Sequence, residues 1–213
     1  YVAWCWKAGG TAVSNTDGSI TSSVSANAQY GFSIVSYTGT GSDATVGHGL
    51  NTTPKFIITK NRERTSNWDC YHVSTGETRY LELNTTSNGG TSVWMQDTAP
   101  TSSVFSIKGG YNVNRSGDDG IAYCFADVPG YQRINSYIGN GSDSGPTVVC
   151  GFKPRFVLLK NVTDSGDDWK IYDSERDPIF VSGVNQLVLS PNSSSQELGN
   201  KGVEFTASGF TVK

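Results

Sequence analysis

The chain has two imidazoles, His48 and His72. Neither belongs to an H-x-x-x-H pair, and no C-x-x-C spacing exists beside them, so the pattern offers no metal centre. Serine is plentiful, but no G-x-S-x-G elbow is present to expose a nucleophile. Hydrolysis of a glycosidic bond needs two carboxylates facing one sugar linkage. Glu63, Asp69, Glu77, Glu82 and Asp97 are candidates by type, yet they fall on expected turns and exposed strand faces and read as solvated surface. Asp43 and Asp143 occupy matching Gly-Ser-Asp loops, and with Asp118-Asp119 and Asp167-Asp168 they offer oxygen ligands of the kind calcium takes. None has the spacing of an EF-hand loop, and Asx turns account for them more simply. The expectation is a protein that is not an enzyme, with no catalytic residue, no metal and no cofactor.

The elements that would position any such group occur twice. Ser36-Tyr37-Thr38-Gly39-Thr40-Gly41-Ser42-Asp43 returns as Ser136-Tyr137-Ile138-Gly139-Asn140-Gly141-Ser142-Asp143. Pro54-Lys55-Phe56-Ile57-Ile58-Thr59-Lys60-Asn61 returns as Pro154-Arg155-Phe156-Val157-Leu158-Leu159-Lys160-Asn161, again at an offset of 100. With small shifts, Trp68 to His72 matches Trp169 to Asp173, Tyr80 to Asn84 matches Gln186 to Ser190, and Val104 to Lys108 matches Gly209 to Lys213. The shifts come from insertions such as Asp164 to Asp167 and Ile179 to Gly183, which read as loop material. A repeat provides two samples of one fold. Positions that agree are structural, and positions that differ are free or specialised. Val2-Ala3-Trp4-Cys5-Trp6 also resembles Ile121-Ala122-Tyr123-Cys124-Phe125, the strand that closes the first unit, and the second unit has no copy of that strand after Lys213. The preferred expectation is a chain cut from a longer array in a phase that splits a unit. The alternative is that the first strand supplies the lacking one, within the chain or from a neighbouring copy, by strand addition.

The same comparison sorts the aromatic and sulfur residues. Trp68 and Trp169 are equivalent. They could be sugar-stacking platforms, but agreement between copies favours core packing. Trp4 and Trp6, matched by Tyr123 and Phe125, are expected in the core. Trp94 and Met95 have no counterpart, since only Gly199-Asn200-Lys201 lies in that region of the second unit. They are either a subunit or ligand contact or a locally buried pair. Trp94, Met95 and His72 are the candidate binding residues. The four cysteines, Cys5, Cys70, Cys124 and Cys150, fall on strand positions read as buried, some exchanged for aliphatics in the other copy, and are expected as free thiols suited to a reducing cytosol.

Composition bounds the fold. The chain has 213 residues, 36% hydrophobic and 16% charged, with 25 glycines and one methionine. Short runs of β-branched and aromatic residues alternate with turn residues throughout, and helix-forming stretches are missing. The expected fold is all-β, with two tandem homologous β-sandwich-like units and almost no helix. The divisions are 1–29, an N-terminal strand plus a Ser/Gly/Thr-rich linker or extra ribbon with a hairpin turn at Asp17-Gly18; 30–128, the first repeat; and 129–213, the second. First-unit strands are expected at Phe32 to Thr38, Lys55 to Asn61, Trp68 to Val73, Arg79 to Leu83, Thr91 to Met95, Val104 to Lys108 and Gly120 to Asp127. Second-unit strands are expected at Arg133 to Ile138, Thr147 to Cys150, Arg155 to Lys160, Trp169 to Tyr172, Gln186 to Leu189, Val203 to Thr206 and Phe210 to Lys213. Lys55 to Lys60 and its copy carry apolar residues on both faces, which marks a central strand. The net charge of -3 has no basic stripe, so nucleic acid is not an expected partner. No apolar run of 18 residues exists, so no membrane-inserting helix is expected.

Three strings carry a family resemblance: Val2 to Gly10, Ser14 to Ile20, and Gly31 to Gly41. A second set, Ile121 to Tyr131 with Gly151 to Pro154, carries it too. Together they resemble a repeated domain of unknown function in virion proteins of marine bacteriophages, which often follows a concanavalin-like lectin module in tail-fibre-like proteins. The family brings no catalytic residues. The resemblance implies a virion structural protein, assembled in the host cytoplasm and part of a tail fibre or appendage for host attachment. The alternatives are a capsid decoration or head-fibre protein, and a carbohydrate-binding module without a virion role. The implied partners are other virion proteins, further copies of the chain in a homo-oligomer (a trimer being common in fibres), and a host surface glycan or receptor.

Overall fold

The computed structural model describes residues 2–176, 186–200 and 202–213. The insertion expected at 179–183 and the Lys201 position lie outside the described residues. The protein is all-β with almost no helix: only two single-turn 3-10 segments, Ala28–Tyr30 and Asn112–Asn114, interrupt the strands among the described residues. No helix there is long and apolar enough to cross a membrane. Two compact units form. One comprises Tyr1–Glu82 with Gly89–Val128, the other Leu83–Asn88 with Pro129–Lys213.

The first unit holds β1 (Val13–Asn15), β2 (Ser22–Asn27), β3 (Phe32–Thr38), β4 (Ala44–Gly47), β5 (Phe56–Asn61), β6 (Asp69–His72), β7 (Arg79–Glu82), β8 (Gly90–Thr91), β9 (Val104–Ile107) and β10 (Asp119–Phe125). Eight of these form one antiparallel sheet in the order β1-β2-β3-β10-β5-β6-β7-β8, and β4 pairs with β9 separately. The stretch read as linker or ribbon is a ribbon. Val13 pairs with Val24 and Asn15 with Ser22, and β2 then continues the sheet along β3. β5 is central, as its two apolar faces predict, with β10 on one side and β6 on the other.

Side-chain alternation gives the sheet two different faces. One face carries Val24, Val35, Tyr37, Ile57, Ala122 and Cys124, which pack with Val46, Phe105 and Ile107 of β4 and β9 into one buried core. This is sandwich-like packing. The opposite face carries two apolar rows, read across the strands from the pairing registers. The first is Phe32, Phe125, Phe56 and His72, and the second is Ile34, Tyr123, Ile58 and Cys70. Phe125 packs at 5.0 Å from Phe32 and 5.8 Å from Phe56, Trp6 meets Phe125 edge-on at 6.0 Å, and Trp68 stacks on Tyr123 at 6.5 Å.

The second unit holds β11 (Thr147–Val149), β12 (Phe156–Leu159), β13 (Lys170–Asp173), β14 (Gln186–Val188), β15 (Leu198–Asn200), β16 (Val203–Thr206) and β17 (Gly209–Val212). β11, β17 and β16 form a three-stranded sheet, β12 pairs with β13, and β14 with β15. Its core is Val157, Tyr172, Val188, Val203 and Phe210, with Val148, Cys150, Leu159, Phe205 and Val212 half-buried around it.

Several sequence expectations are corrected. No strand forms over 133–138, where Ile138 is 90% exposed. The core-facing Val35 of β3 is matched by Asn135 and Ser33 by Arg133, so that stretch has no apolar face to bury. The strand expected at Thr91 to Met95 stops at Thr91, because Gln96 and Asp97 take positive φ (56° and 48°) and fold the chain into a turn. Residues 2–6 form no strand, and Cys5, expected buried, is exposed, while Cys70 and Cys124 are fully buried. Burial pushes the Cys124 thiol up to about 12. Trp4, Trp6 and Trp68 are half-buried and Trp169 is core. β4 and β15 escaped the sequence reading because short, glycine-bearing strands carry little alternation.

Candidate binding surface

The segment from Thr91 to Thr98 runs on from β8 in the first unit. Two tight turns build it: Gln96 N–H donates to Val93 O (2.7 Å) and Thr98 N–H to Met95 O (3.0 Å). Its ends are pinned by Ser92 N–H to Thr78 O (3.0 Å) and Lys108 N–H to Trp94 O (2.7 Å). Gln96 turns its amide inward and donates 2.9 Å bonds to Ala44 O of β4 and Ile107 O of β9, tying the loop to both strands of that ladder. Trp94 and Met95 are 2% and 0% exposed, within the main core. Of the two readings left open for them, the structure shows the locally buried pair. Neither presents surface to a partner. Trp94 Nε1–H has no acceptor among the described residues, so apolar packing alone holds the indole.

That anchoring sets what the loop displays. Val93 and Asp97, on either side of Trp94 to Gln96, line a shallow groove of about 370 Å³ with Thr78, Thr91, Ser92 and Tyr111. Val93 is 38% and Tyr111 40% exposed. A phenol ring, an isopropyl group, three hydroxyls and a carboxylate form an amphipathic surface of the kind that meets a sugar ring, apolar on its faces and polar at its rim. The candidate residues Trp94 and Met95 are the buried part of this segment, and Val93 and Asp97 are its exposed part. Exposure, which a sequence does not report, separates Val93 and Asp97 from Trp94 and Met95.

A second groove, about 350 Å³, is a strip of hydroxyls from Ser14, Ser23, Ser36 and Thr38 beside Arg62 and Asp119. Asp119 is committed to the sheet there. Its Oδ1 accepts from Thr38 Oγ1 (3.0 Å) and its carbonyl from Arg62 N–H (2.8 Å).

His72, the third candidate, lies on the outer aromatic face, half-buried and edge-on to Phe56 at 6.1 Å. Its Nδ1 accepts from Ser74 N–H (3.1 Å), and burial lowers its pKa. It is not brought together with Trp94 or Met95: it lies on the face opposite the core that holds them. His48 is fully buried. Its Nδ1 accepts from Leu50 N–H (3.2 Å), which leaves Nε2–H to donate to Thr101 O (3.2 Å). This is a neutral structural imidazole.

The carboxylates sort into structural and perturbed groups. Asp43 accepts from Lys108 Nζ (2.7 Å) and Gly109 N–H (3.0 Å), and the Lys108 contact holds its carboxyl below the usual range. Asp118 pairs with Arg64 and accepts from Asn61 Nδ2 (2.9 Å). Asp69 differs from the solvated surface the sequence suggested. It is half-buried and directly opposite Glu82 in the β6–β7 ladder. Burial, then Glu82 repulsion, raises its pKa to about 6, against an opposing effect of Lys60. No group of three or more His, Cys, Asp or Glu side chains able to hold a metal occurs among the described residues.

The architecture is that of a sandwich-like all-β protein whose anchored loop lines an amphipathic groove. The chain belongs to the family defined by the domain of unknown function DUF7483, whose model matches residues 1–213. No curated protein and no solved structure matches the chain.

Proposed function

We propose that this chain is a structural component of a bacteriophage virion, part of a tail fibre or similar appendage, whose tandem β-units act as spacers and whose loops contact the host surface. The resemblance of Val2 to Gly10, Ser14 to Ile20, Gly31 to Gly41, Ile121 to Tyr131 and Gly151 to Pro154 to tail-fibre-like virion proteins supports the virion part of the reading. The observation that carries the contact part is the Thr91 to Thr98 loop. Trp94, Met95 and Gln96 hold it rigidly from beneath, so that Val93, Asp97 and Tyr111 are presented without a large ordering cost on binding. Immunogold electron microscopy on intact particles tests the virion part. Gold at the distal tail is expected, gold on the head turns the reading to capsid decoration, and gold nowhere refutes it.

The groove chemistry also favours a second reading, a carbohydrate-binding module without a virion role. Both readings expect a glycan ligand at Tyr111. On a glycan array, Tyr111→Ala is expected to weaken the best ligand by about tenfold, roughly 1.4 kcal/mol, with the thermal transition unchanged. Equal binding by parent and variant refutes the groove as the site.

A further inference from the structure

An asparagine followed by glycine places a side-chain amide carbon next to the least hindered backbone nitrogen a chain can offer, because glycine has no Cβ to shield it. The sequence contains this pair twice, at Asn88-Gly89 and Asn140-Gly141. Their surroundings differ. Asn140 lies in the loop from Gly139 to Asp143, whose residues are all exposed. Its side chain folds back along the chain in an Asx turn, with Ser142 N–H donating to Asn140 Oδ1 (3.1 Å). That bond draws electron density from the amide carbon and keeps it beside the Gly141 peptide. Asn140 Nδ2 donates to Ser144 O (3.2 Å), a partner in the same stretch of exposed chain. A Cβ built on Gly139 or on Gly141 would meet open space, so the loop has room to rotate, and solvent water reaches it. Gly141 takes a φ of 67°, so the turn itself calls for the unhindered residue.

Gly89 is held differently. It leads into β8, whose Gly90 pairs with Tyr80 of β7. A Cβ on Gly89 would stand 2.2 Å from Tyr80 O and 2.8 Å from Leu81 Cδ2, so its backbone lies tightly against β7. Asn88 Nδ2 donates to Thr163 O (3.0 Å). Turning the Gly89 nitrogen toward the Asn88 amide carbon requires the start of β8 to leave β7. Losing one ladder hydrogen bond slows such a step by about tenfold. The first unit shows that the turn at Asn140 does not need an asparagine. There Thr40 holds the matching position in Gly39-Thr40-Gly41-Ser42-Asp43. Ser42 N–H donates to Thr40 Oγ1 (3.3 Å), and Thr40 Oγ1–H donates to Ser42 O (3.2 Å). A hydroxyl caps that turn and offers no amide carbon to attack.

We propose that Asn140 is a site of spontaneous backbone modification, converted through a succinimide to isoaspartate and aspartate, and that the folded protein protects Asn88 from the same reaction. The Gly141 nitrogen gives its proton to solvent base and attacks Asn140 Cγ. A Cγ–N bond forms, the Cγ–Nδ2 bond breaks, and Nδ2 leaves as ammonia with a proton from water. Water then opens the ring. Attack at the main-chain carbonyl of residue 140 breaks the original peptide bond and leaves the chain running through Cγ, which is isoaspartate. Attack at Cγ breaks the new bond and leaves aspartate. Nothing is oxidised or reduced, and water is the one co-reactant. Either product adds a negative charge to a chain of net charge -3, and isoaspartate also lengthens the backbone of the loop by a methylene. The inference does not rest on the virion reading.

The test ages the full chain at neutral and at mildly alkaline pH and follows both asparagines by peptide mass spectrometry, with fragmentation that separates isoaspartate from aspartate. A second sample is aged in urea, where both sites are open. In the folded protein Asn140 is expected to convert about tenfold faster than Asn88, with isoaspartate among its products and a rate that rises with pH. In urea the two rates should converge. Asn140→Thr, which carries the first unit's residue, should show no conversion at position 140, an unchanged thermal transition, and Asn88 as slow as in the parent. Three results overturn the proposal: Asn140 intact in the folded chain while it converts in urea, Asn88 converting as fast as Asn140 in the folded chain, or aspartate at position 140 without isoaspartate.

Discussion

Asp69→Asn should stabilise this protein at neutral pH and leave it unchanged in acid. Asp69 is half-buried, faces Glu82 across the β6–β7 ladder, and has its pKa raised from 3.8 to about 6. The folded state therefore holds the proton more tightly than the unfolded chain does. Below pH 3.8 both states are protonated and the site costs nothing. Between 3.8 and about 6 the unfolded chain releases its proton first, so stability falls as pH rises through that window. Above it the full penalty persists. The gap corresponds to about 3 kcal/mol at 1.36 kcal/mol per pH unit, and residual solvent access reduces this to roughly 1–3 kcal/mol. Asn keeps the shape and removes the charge, and Thr59 Oγ1 binds the backbone carbonyl of residue 69, which the substitution leaves alone.

The assay is thermal unfolding of parent and variant from pH 3.5 to 8. For a chain of this size, about 1–3 kcal/mol raises Tm by roughly 3–10 °C at pH 8, and the difference should close to zero by pH 3.5. His48 acts in the opposite direction on both proteins. Its pKa is lowered by burial, so it contributes stability that is present above the ordinary value of 6.5 and is lost as pH falls below it. Because parent and variant share that loss, the difference between them isolates Asp69. A pH-independent difference, or a variant less stable at pH 8, refutes the assignment of a buried, repelled carboxylate.

Two buried aromatic donors make a matched pair of further predictions. Tyr37 Oη donates to Val113 O (2.8 Å) inside the core, so Tyr37→Phe leaves a buried carbonyl short of a partner and should cost about 1–2 kcal/mol in denaturant unfolding. Trp94 Nε1–H has no acceptor among the described residues, so Trp94→Phe removes an unsatisfied donor along with some volume, and should fall within about 1 kcal/mol of the parent in the same assay.

The parts of the fold legible in the sequence were those that obey the two-residue period with large side chains. Phe32 to Thr38 and Val203 to Thr206 were placed to the residue, and β5 was recognised as central because Phe56, Ile57 and Ile58 make both its faces apolar. What failed had a physical reason each time. Arg133 to Ile138 matches β3 in its turn residues, but Asn135 and Arg133 replace the buried side of the strand. Thr91 to Met95 has a strand's composition, but Gln96 and Asp97 turn the chain with positive φ, which glutamine rarely adopts. At the candidate surface, repeat comparison singled out Trp94 and Met95. It could not distinguish the residues that anchor the loop from those that face the groove, because that distinction lies in how deep the turn sits against β4 and β9.

The strands that follow Pro54 and Pro154 are alike in sequence and differ in their described surroundings. Both β5 and β12 start after a proline, carry an apolar residue at every position of their first half, and pair with a tyrosine-bearing strand in the same register. Such a strand needs neighbours on both edges to satisfy its N–H and C=O groups and to cover its two faces. β5 has them, and seventeen buried residues close around it. β12 has one described neighbour, and five buried residues lie around it. Nothing in β12 itself accounts for the difference, since Val157 and Leu158 are as apolar as Ile57 and Ile58. The difference lies in the strand beside it: Ile121 to Phe125 of β10 is supplied to β5, whereas the described neighbour of β12 is β13.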